Sequence, residues 1–236
     1  MSHVLIVTVG TTALWATELV NNLPGSDGRY KLASALDAYR AAEDDETRAY
    51  FANRDQLRPN LLEAHAEFWK KKPELFRKCH KTSAEMMSCK LVLSKLKFLP
   101  DRVLLLASHT HEGQMAAEIN EELMHCYLFK PPASISCERV DDLNTTNDDF
   151  SGLFGTLAQI LSRYDKKSDN LVFNVTGGFK GLIPPLTWLA EHQFPGAPLF
   201  YLHEEMTSAV SIEFPKTPAP ETPQLPESPK VKPYGL

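Results

Sequence analysis

Apolar positions in this chain of 236 residues follow two patterns that alternate along its length. Continuous apolar runs, which are typical of strands buried in a parallel sheet, occur at residues 4–7, 103–107 and 171–173. Shorter runs at 134–140, 199–202 and 209–214 predict three more strands, the last two as an antiparallel pair. Apolar residues at helical spacing predict intervening helices over about 13–20, 114–123, 148–164 and 181–192.

From about residue 30 to residue 99 the pattern is almost wholly helical and predicts two or three helices, more than one crossover between strands requires. Strands that alternate with helices predict a Rossmann-like, doubly wound α/β domain with a mainly parallel sheet over 1–214 and a helical insertion at about 30–99. After Phe214, prolines recur every two to four residues. Residues 215–236 are therefore predicted to form a disordered tail, and a ligand for a proline-binding partner is the less favoured alternative.

Composition narrows the possible partners of the chain. A formal charge of −5 and a pI near 5.9 give no general attraction to long nucleic acid, so an anion would have to be bound locally. No apolar run is long enough to span a membrane, and a cytoplasmic protein without membrane contact is expected. The four cysteines lack metal-binding spacing and are expected to be reduced thiols packed as small hydrophobes, at Cys79, Cys89, Cys126 and Cys137.

The turn after the first strand carries a glycine and two hydroxyls, as Gly10, Thr11 and Thr12. One hydroxyl is able to cap the following helix while the other faces a ligand, and the alternative is that both threonines are caps. The turn lacks the lysine of a Walker A motif and the three glycines of the dinucleotide fingerprint. ATP hydrolysis and nicotinamide binding are therefore both poorly supported.

A second glycine turn follows the strand at 171–173 and contains Thr176, Gly177, Gly178, Phe179 and Lys180. Two glycines allow the backbone to approach a phosphate closely, and the lysine supplies a cation just beyond them. The alternative is a solvated lysine, although a helix start is electrostatically unfavourable for a cation. Asn174, just before the turn, is expected to orient it, to bind a base or ribose, or to act as a cap.

A third polar loop spans residues 108–113 after the strand at 103–107. Its histidines, His109 and His111, titrate near neutrality and are suited to phosphate binding or proton transfer, beside Ser108 and Thr110. The His-x-His pattern also suits a metal, but no third ligand is evident, so no metal site is predicted. Because carboxyl ends of parallel strands share one edge, the three loops together predict a site for a phosphate-bearing ligand.

These motifs resemble the standalone CRISPR-associated Rossmann-fold (CARF) proteins, especially the group that includes the ring nucleases. The resemblance rests on residues 9–12, on the strand, loop and helix of 104–119, and on Asn174 to Lys180, with Tyr201 to Glu204 extending it. It implies a homodimer that binds a cyclic oligoadenylate across its two subunits and needs no cofactor. Ring nucleases cleave this messenger without a metal, by attack of a ribose 2′-hydroxyl that leaves a 2′,3′-cyclic phosphate, and so end type III CRISPR antiviral signalling.

The resemblance also implies roles for individual residues. Lys180 would stabilise charge on the phosphorane, and Thr12 would stand where such enzymes commonly carry a serine. His109 and His111 differ from the usual polar residues of this loop, and they would serve as general acid or base or enlarge the ligand contact. The residues expected to contact the ligand are Gly10, Thr11, Thr12, Ser108, Thr110, Asn174, Thr176, Gly177, Gly178, Phe179 and Lys180.

Two other functions fit the same loops. A non-catalytic sensor would bind cyclic oligoadenylate and act on a partner protein through the helical insertion or the tail. The insertion would be that contact surface, or else a lid or a dimer arm. An unrelated α/β enzyme acting on a nucleotide or sugar phosphate is the weaker alternative, because only the glycine turns support it.

Overall fold

The computed structural model describes residues 1–15, 26–54, 56–71, 83–129, 133–140, 151–178, 180–202 and 208–212. The predictions for the tail at 215–236, for Phe179 and for Cys79 lie outside the described residues.

Six strands form one sheet in the order β3-β2-β1-β4-β5-β6, and all neighbouring pairs are parallel except the last. The strands are β1 (Ser2–Thr8), β2 (Arg102–Ser108), β3 (Ser134–Val140), β4 (Asp169–Asn174), β5 (Leu199–Tyr201) and β6 (Val210–Ile212). The predicted doubly wound α/β fold and the antiparallel terminal pair are thereby confirmed.

One face of the sheet is covered by the helices that lie before β2, together with the helix that follows it. These are α1 (Thr12–Trp15), α2 (Ser26–Ala41), α3 (Asp45–Arg54), α4 (Leu57–Lys71), α5 (Ala84–Lys95) and α6 (His111–Tyr127). The segment at 30–99 therefore holds parts of four described helices, where two or three were predicted. Their buried side chains, including Tyr39, Leu61 and Phe68, share one core with Leu5 and Leu105 of the sheet.

The opposite face is covered by α7 (Ser151–Leu161), a 3-10 turn (Lys180–Leu182) and α8 (Ile183–Gln193). Their apolar side chains form a second core with Ile6, Leu104 and Phe173. Helix α7 ends at Leu161, before the predicted end at Tyr164, because the chain turns there and Tyr164 N–H bonds the Leu161 carbonyl at 3.1 Å. Each central strand thus contributes alternate residues to two separate cores.

Methionines 86 and 87 and Trp69 are buried and belong to the packed interior. The cysteines divide: Cys89 is buried, whereas Cys126 and Cys137 are exposed, so the expectation of packed thiols was wrong for these two. Cys126 lies near the end of α6, and Cys137 lies on β3, which is an edge strand of the sheet. Within the described residues, no helix has the length and apolar character needed to cross a membrane.

Strand β1 is the topological switch point of the sheet. Val7 pairs with Leu105 of β2 on one side and with Asn174 of β4 on the other, so the carboxyl ends of the three strands are nearly level. In open α/β sheets, ligands bind in the crevice outside such carboxyl ends. The loops after β1, β2 and β4 are therefore the expected ligand-binding loops.

Candidate functional site

The loops after β1 and β4 are in direct contact. The Thr8 hydroxyl donates a hydrogen bond to the Gly177 carbonyl at 2.5 Å. A Cβ atom on Gly10 would lie 2.7 Å from the Gly178 nitrogen, which is closer than real side chains approach. Gly178 itself has a φ of +84°, a conformation that favours glycine. These glycines are therefore needed for the two loops to approach each other.

A buried carboxylate lies beneath both loops. Glu85, in the first turn of α5, is 0% exposed and accepts a hydrogen bond from Gly10 N–H at 2.7 Å. Its other oxygen accepts from the hydroxyls of Thr12 at 3.3 Å and Ser83 at 3.2 Å. A Cβ on Gly177 would lie 2.0 Å from Glu85 Oε1, so glycine is required there as well.

Burial raises the pKa of Glu85, and the hydrogen bonds from Gly10, Ser83 and Thr12 oppose that rise. The sequence analysis missed this residue. The only local signal is a serine at 83 followed by an acidic side chain in the first helical turn, which is typical of an ordinary helix start. Nothing in that pattern indicates that the carboxylate is buried against a loop 75 positions earlier.

Further buried polar side chains extend the contacts of Glu85 in both directions. The Ser83 hydroxyl also lies 2.7 Å from Asn120 Oδ1 of α6, so its single hydrogen is shared between Glu85 and Asn120. Ser88 of α5 donates to the Glu85 carbonyl at 3.2 Å. Asn174 then donates to Ser88 at 2.8 Å and accepts from the Thr176 hydroxyl at 2.7 Å. We call Ser83, Glu85, Ser88, Asn120, Asn174 and Thr176 the buried polar network.

This network determines what Asn174 and Thr176 do in the structure. Asn174 is fully buried and orients the β4 loop from within, through its bond to Thr176. The Thr176 hydroxyl in turn accepts a hydrogen bond from Leu202 N–H, at the end of β5, at 3.0 Å. The β4 loop is therefore held on both sides before any ligand arrives.

The threonines of the β1 loop also have internal partners. Thr12 Oγ1 donates to Glu85 and accepts a hydrogen bond from Ala84 N–H at 3.2 Å, so it satisfies the amino terminus of α5. The Thr11 carbonyl accepts from Leu14 N–H at 2.9 Å. A threonine cap was expected on the helix that directly follows the loop, but the Thr12 hydroxyl instead bonds the start of α5, a helix distant in sequence.

The loop after β2 is shorter than predicted. Thr110 is the N-cap of α6, and its hydroxyl accepts from Gly113 N–H at 3.1 Å. The helix therefore begins at His111 and not at Gln114, because this cap satisfies a free N–H of the first turn. Residues 111–113, expected in the loop, belong to the helix, and Ser108 pairs with Thr110 at 3.0 Å.

His111 is held in place by the helical insertion. Its backbone N–H donates to Asp45 of α3 at 3.0 Å, and its Nδ1 lies 3.3 Å from the hydroxyl of Tyr39 in α2. Partial burial, and secondarily the nearby charge of Arg58, lower the pKa of His111. Both effects favour the neutral form of the imidazole. His109 differs, since its buried Nδ1 has no hydrogen-bond partner among the described residues.

Ion pairs join the insertion to α6 beside these histidines. Arg48 of α3 lies 3.1 Å from Glu112, and Arg58 of α4 lies 2.6 Å from Glu118. These two cations are thus already neutralised by protein carboxylates. In the part of the chain that the structure describes, no group of three or more histidine, cysteine or acidic residues is placed to hold a metal ion.

Lys180 begins the 3-10 turn that follows the β4 loop. Its side chain, like Phe179, lies outside the described residues, so the structure gives only the position of its backbone. That backbone comes directly after the loop that contacts Gly10, which places Lys180 at the same edge of the sheet.

Comparison with known proteins identifies one family. Residues 80–216 match the family model described as CRISPR-associated protein (Cas_APE2256), which is more than half of the chain. The expected kinship with CRISPR-associated proteins is therefore confirmed. The matched segment contains Glu85, His111 and the β4 loop. No curated protein matched the chain.

Proposed function

We propose that this chain, which belongs to the family of CRISPR-associated proteins (Cas_APE2256), binds a cyclic oligoadenylate and cleaves it. The ligand lies across the two-fold axis of a homodimer, because a symmetric ring suits a symmetric interface. Cleavage proceeds by attack of a ribose 2′-hydroxyl on the adjacent phosphate, without a metal. The products are linear, and their formation terminates type III CRISPR signalling.

The observation that carries this proposal is the convergence of three loops at one edge of the sheet. The loops after β1 and β4 contact each other, and the loop after β2 joins them beside the switch point. Such an edge is the usual place for a nucleotide ligand in this fold. Membership of a CRISPR-associated family makes a nucleotide messenger of that defence system the chemically consistent ligand.

The reaction needs a base, a charge stabiliser and an in-line geometry. His111 is suited to accept the proton of the 2′-hydroxyl, since its lowered pKa favours the neutral form and Tyr39 fixes its ring. The 2′-oxygen then bonds to phosphorus as the bond between phosphorus and the 5′-oxygen breaks. The leaving 5′-oxygen takes up a proton, and His109 is the candidate general acid that donates it. Lys180, with loop hydroxyls such as Thr11, offsets the phosphorane charge.

A sensor that binds without cleaving is the second candidate, and one observation favours it. Gly10 N–H and the Thr12 hydroxyl, both expected to contact the ligand, are already bonded to Glu85. A ring nuclease that used Thr12 would have to release this hydroxyl first. A sensor needs no such release, and its signal would pass to a partner protein.

The deciding experiment removes the cation of the β4 loop. Purified protein is incubated with cyclic tri-, tetra- and hexa-adenylate, with and without EDTA, and products are separated by mass-resolved chromatography. We expect linear products ending in 2′,3′-cyclic phosphate, and a loss of about 100-fold in rate for Lys180→Ala, since a charge stabiliser typically contributes that much. Lys167→Ala is the matched control, because this exposed lysine precedes β4 at the opposite edge of the sheet.

His111→Gln tests the base in the same assay, and His125→Gln, near the other end of α6, is its control. We expect at least ten-fold slower cleavage with unchanged binding for the former only. Tight binding without cleavage by the wild-type protein would transfer the assignment to the sensor. Failure to bind any of the three rings would overturn both candidates.

A further inference from the structure

We propose that Glu85 is a positioning residue that holds the β1 loop against the β4 loop from the protein side. Its effect on ligand binding rests on the function proposed above, whereas its effect on the loops does not. Glu85 does not touch the ligand edge directly, because its side chain is fully buried. It acts through Gly10, whose N–H it binds.

The contacts of Glu85 span three separate parts of the chain. Oε1 accepts the Gly10 N–H and lies so close to Gly177 that a Cβ there would meet it at 2.0 Å. Oε2 accepts the hydroxyls of Thr12 and Ser83. One carboxyl group therefore fixes the β1 loop, the β4 loop and the start of α5 relative to one another.

The partners of this carboxyl group are neutral donors. Among the described ion pairs none includes Glu85, so a salt bridge does not explain a buried acid here. Four hydrogen bonds, including one to its own backbone, and a place in the first turn of α5 offset the cost of burial. A leucine of similar size would fill the space but would leave the Gly10 N–H without an acceptor.

A consequence follows for the way a phosphate is bound. In many Rossmann-like folds, backbone N–H groups of the first loop receive the phosphate of the ligand. Here the Gly10 N–H already donates to Glu85, so this N–H is not free to bind a phosphate and the β1 loop is held in place at that position. The phosphate must then be met by other groups, and the β4 loop that Gly10 packs against is the adjacent source of them.

Two substitutions of Glu85 separate its hydrogen bonds from its charge. Glu85→Gln keeps an oxygen that accepts the Gly10 N–H, whereas Glu85→Ala removes every acceptor. Leu157→Ala, which opens a cavity in the core on the opposite face, is the control for general loss of stability. Amide hydrogen exchange of peptides covering Gly10 and Gly177 reports on the loops, and calorimetric titration with the three cyclic oligoadenylates reports on binding.

We expect exchange at Gly10 to become at least ten-fold faster in Glu85→Ala, and to stay within three-fold of wild type in Glu85→Gln and Leu157→Ala. Ligand affinity per folded molecule should fall at least ten-fold in Glu85→Ala and be retained in Glu85→Gln. Unchanged protection of Gly10 in Glu85→Ala would overturn the positioning role, as would a Glu85→Gln variant as impaired as Glu85→Ala.

The two proposals fail in distinguishable ways. If the wild-type protein binds no ring, the proposed function is wrong, and the exchange measurement alone decides the role of Glu85. If the wild-type protein binds a ring and Glu85→Ala binds it equally well with its loops intact, the proposed function stands and the positioning role is overturned.

Discussion

The two faces of the sheet are packed in different ways. On the side of α7 and α8, the core consists of aliphatic and aromatic side chains, and neither helix carries a fully buried polar residue among those described. On the side of α1 to α6, the described residues include an apolar core and, beside it, six buried polar residues. These are His65, Ser83, Glu85, Ser88, Asn120 and Asn174.

The two faces differ in how strictly they fix the positions of their side chains. Apolar packing tolerates small shifts, because dispersion contacts have no strict direction. A buried hydrogen-bonded network does not, since each unmatched group costs about 1–3 kcal/mol. The face that carries the buried polar network is also the face that supports the contacting loops. The core on the side of α7 and α8 therefore mainly stabilises the fold, whereas the network on the other side positions the loops.

The largest expected effect tests the apolar side. Leu157, fully buried on α7, contributes to the core with Phe173 and Leu186. Leu157→Ala should lower the free energy of unfolding by about 2–5 kcal/mol, measured by urea denaturation, through lost transfer energy and a residual cavity. Ligand affinity per folded molecule should not change. A loss of affinity in this variant would contradict the view that the core beside α7 and α8 contributes to stability and not to the geometry of the loops.

A somewhat smaller effect concerns the pH dependence of the free energy of unfolding that a buried histidine on the side of α1 to α6 produces. His65 is fully buried, its Nε2 lies 2.9 Å from the Ala13 carbonyl, and burial lowers its pKa to about 4. The unfolded chain binds a proton near pH 6.5, but the folded protein does not. Stability is therefore complete above pH 6.5 and is lost as the pH falls towards 4, by about 3 kcal/mol in total.

His65→Gln should remove this part of the pH dependence, as seen in denaturation midpoints between pH 7.5 and 4.5. His192→Gln is the matched control, because His192 is exposed on α8. An unchanged slope in His65→Gln would assign the acid sensitivity to other groups.

The smallest expected effect compares glycines on the two sides. Gly155, inside α7, has open space where a Cβ would lie, whereas a Cβ on Gly177 would collide with Glu85 and with the Thr8 carbonyl. Gly155→Ala should therefore raise the melting temperature, with a gain of about 0.5–1 kcal/mol from reduced backbone entropy. Gly177→Ala should lower it, and equal effects of the two would contradict the close approach of the loops.

Much of the fold was predictable because its signals are local. The runs at 4–7, 103–107 and 171–173 lie within β1, β2 and β4, and the strand at 134–140 was predicted with the bounds that the structure gives. Helix limits were less accurate. The start of α6 moved to His111 because the cap at Thr110 depends on a single hydroxyl, which apolar periodicity does not reveal.

The candidate site was predictable only in part. Parallel strands bring their carboxyl ends together, so the meeting of the Gly10 and Gly177 loops followed from the predicted topology. The partners of those loops did not. Asn120 and Glu85 are ordinary polar positions in helical sequence, and the anchoring of His111 by Tyr39 and Asp45 joins residues more than sixty positions apart.

The sequence by itself determined the α/β class, the mainly parallel sheet and the loops that line one edge, since apolar periodicity and glycine turns act over a few residues. Only the tertiary structure decided that Glu85 takes the Gly10 N–H, that Thr12 caps α5 and that Asn174 faces inward. Hydrogen bonds between distant segments depend on angles and distances that the packing of whole helices sets, and no local pattern records them.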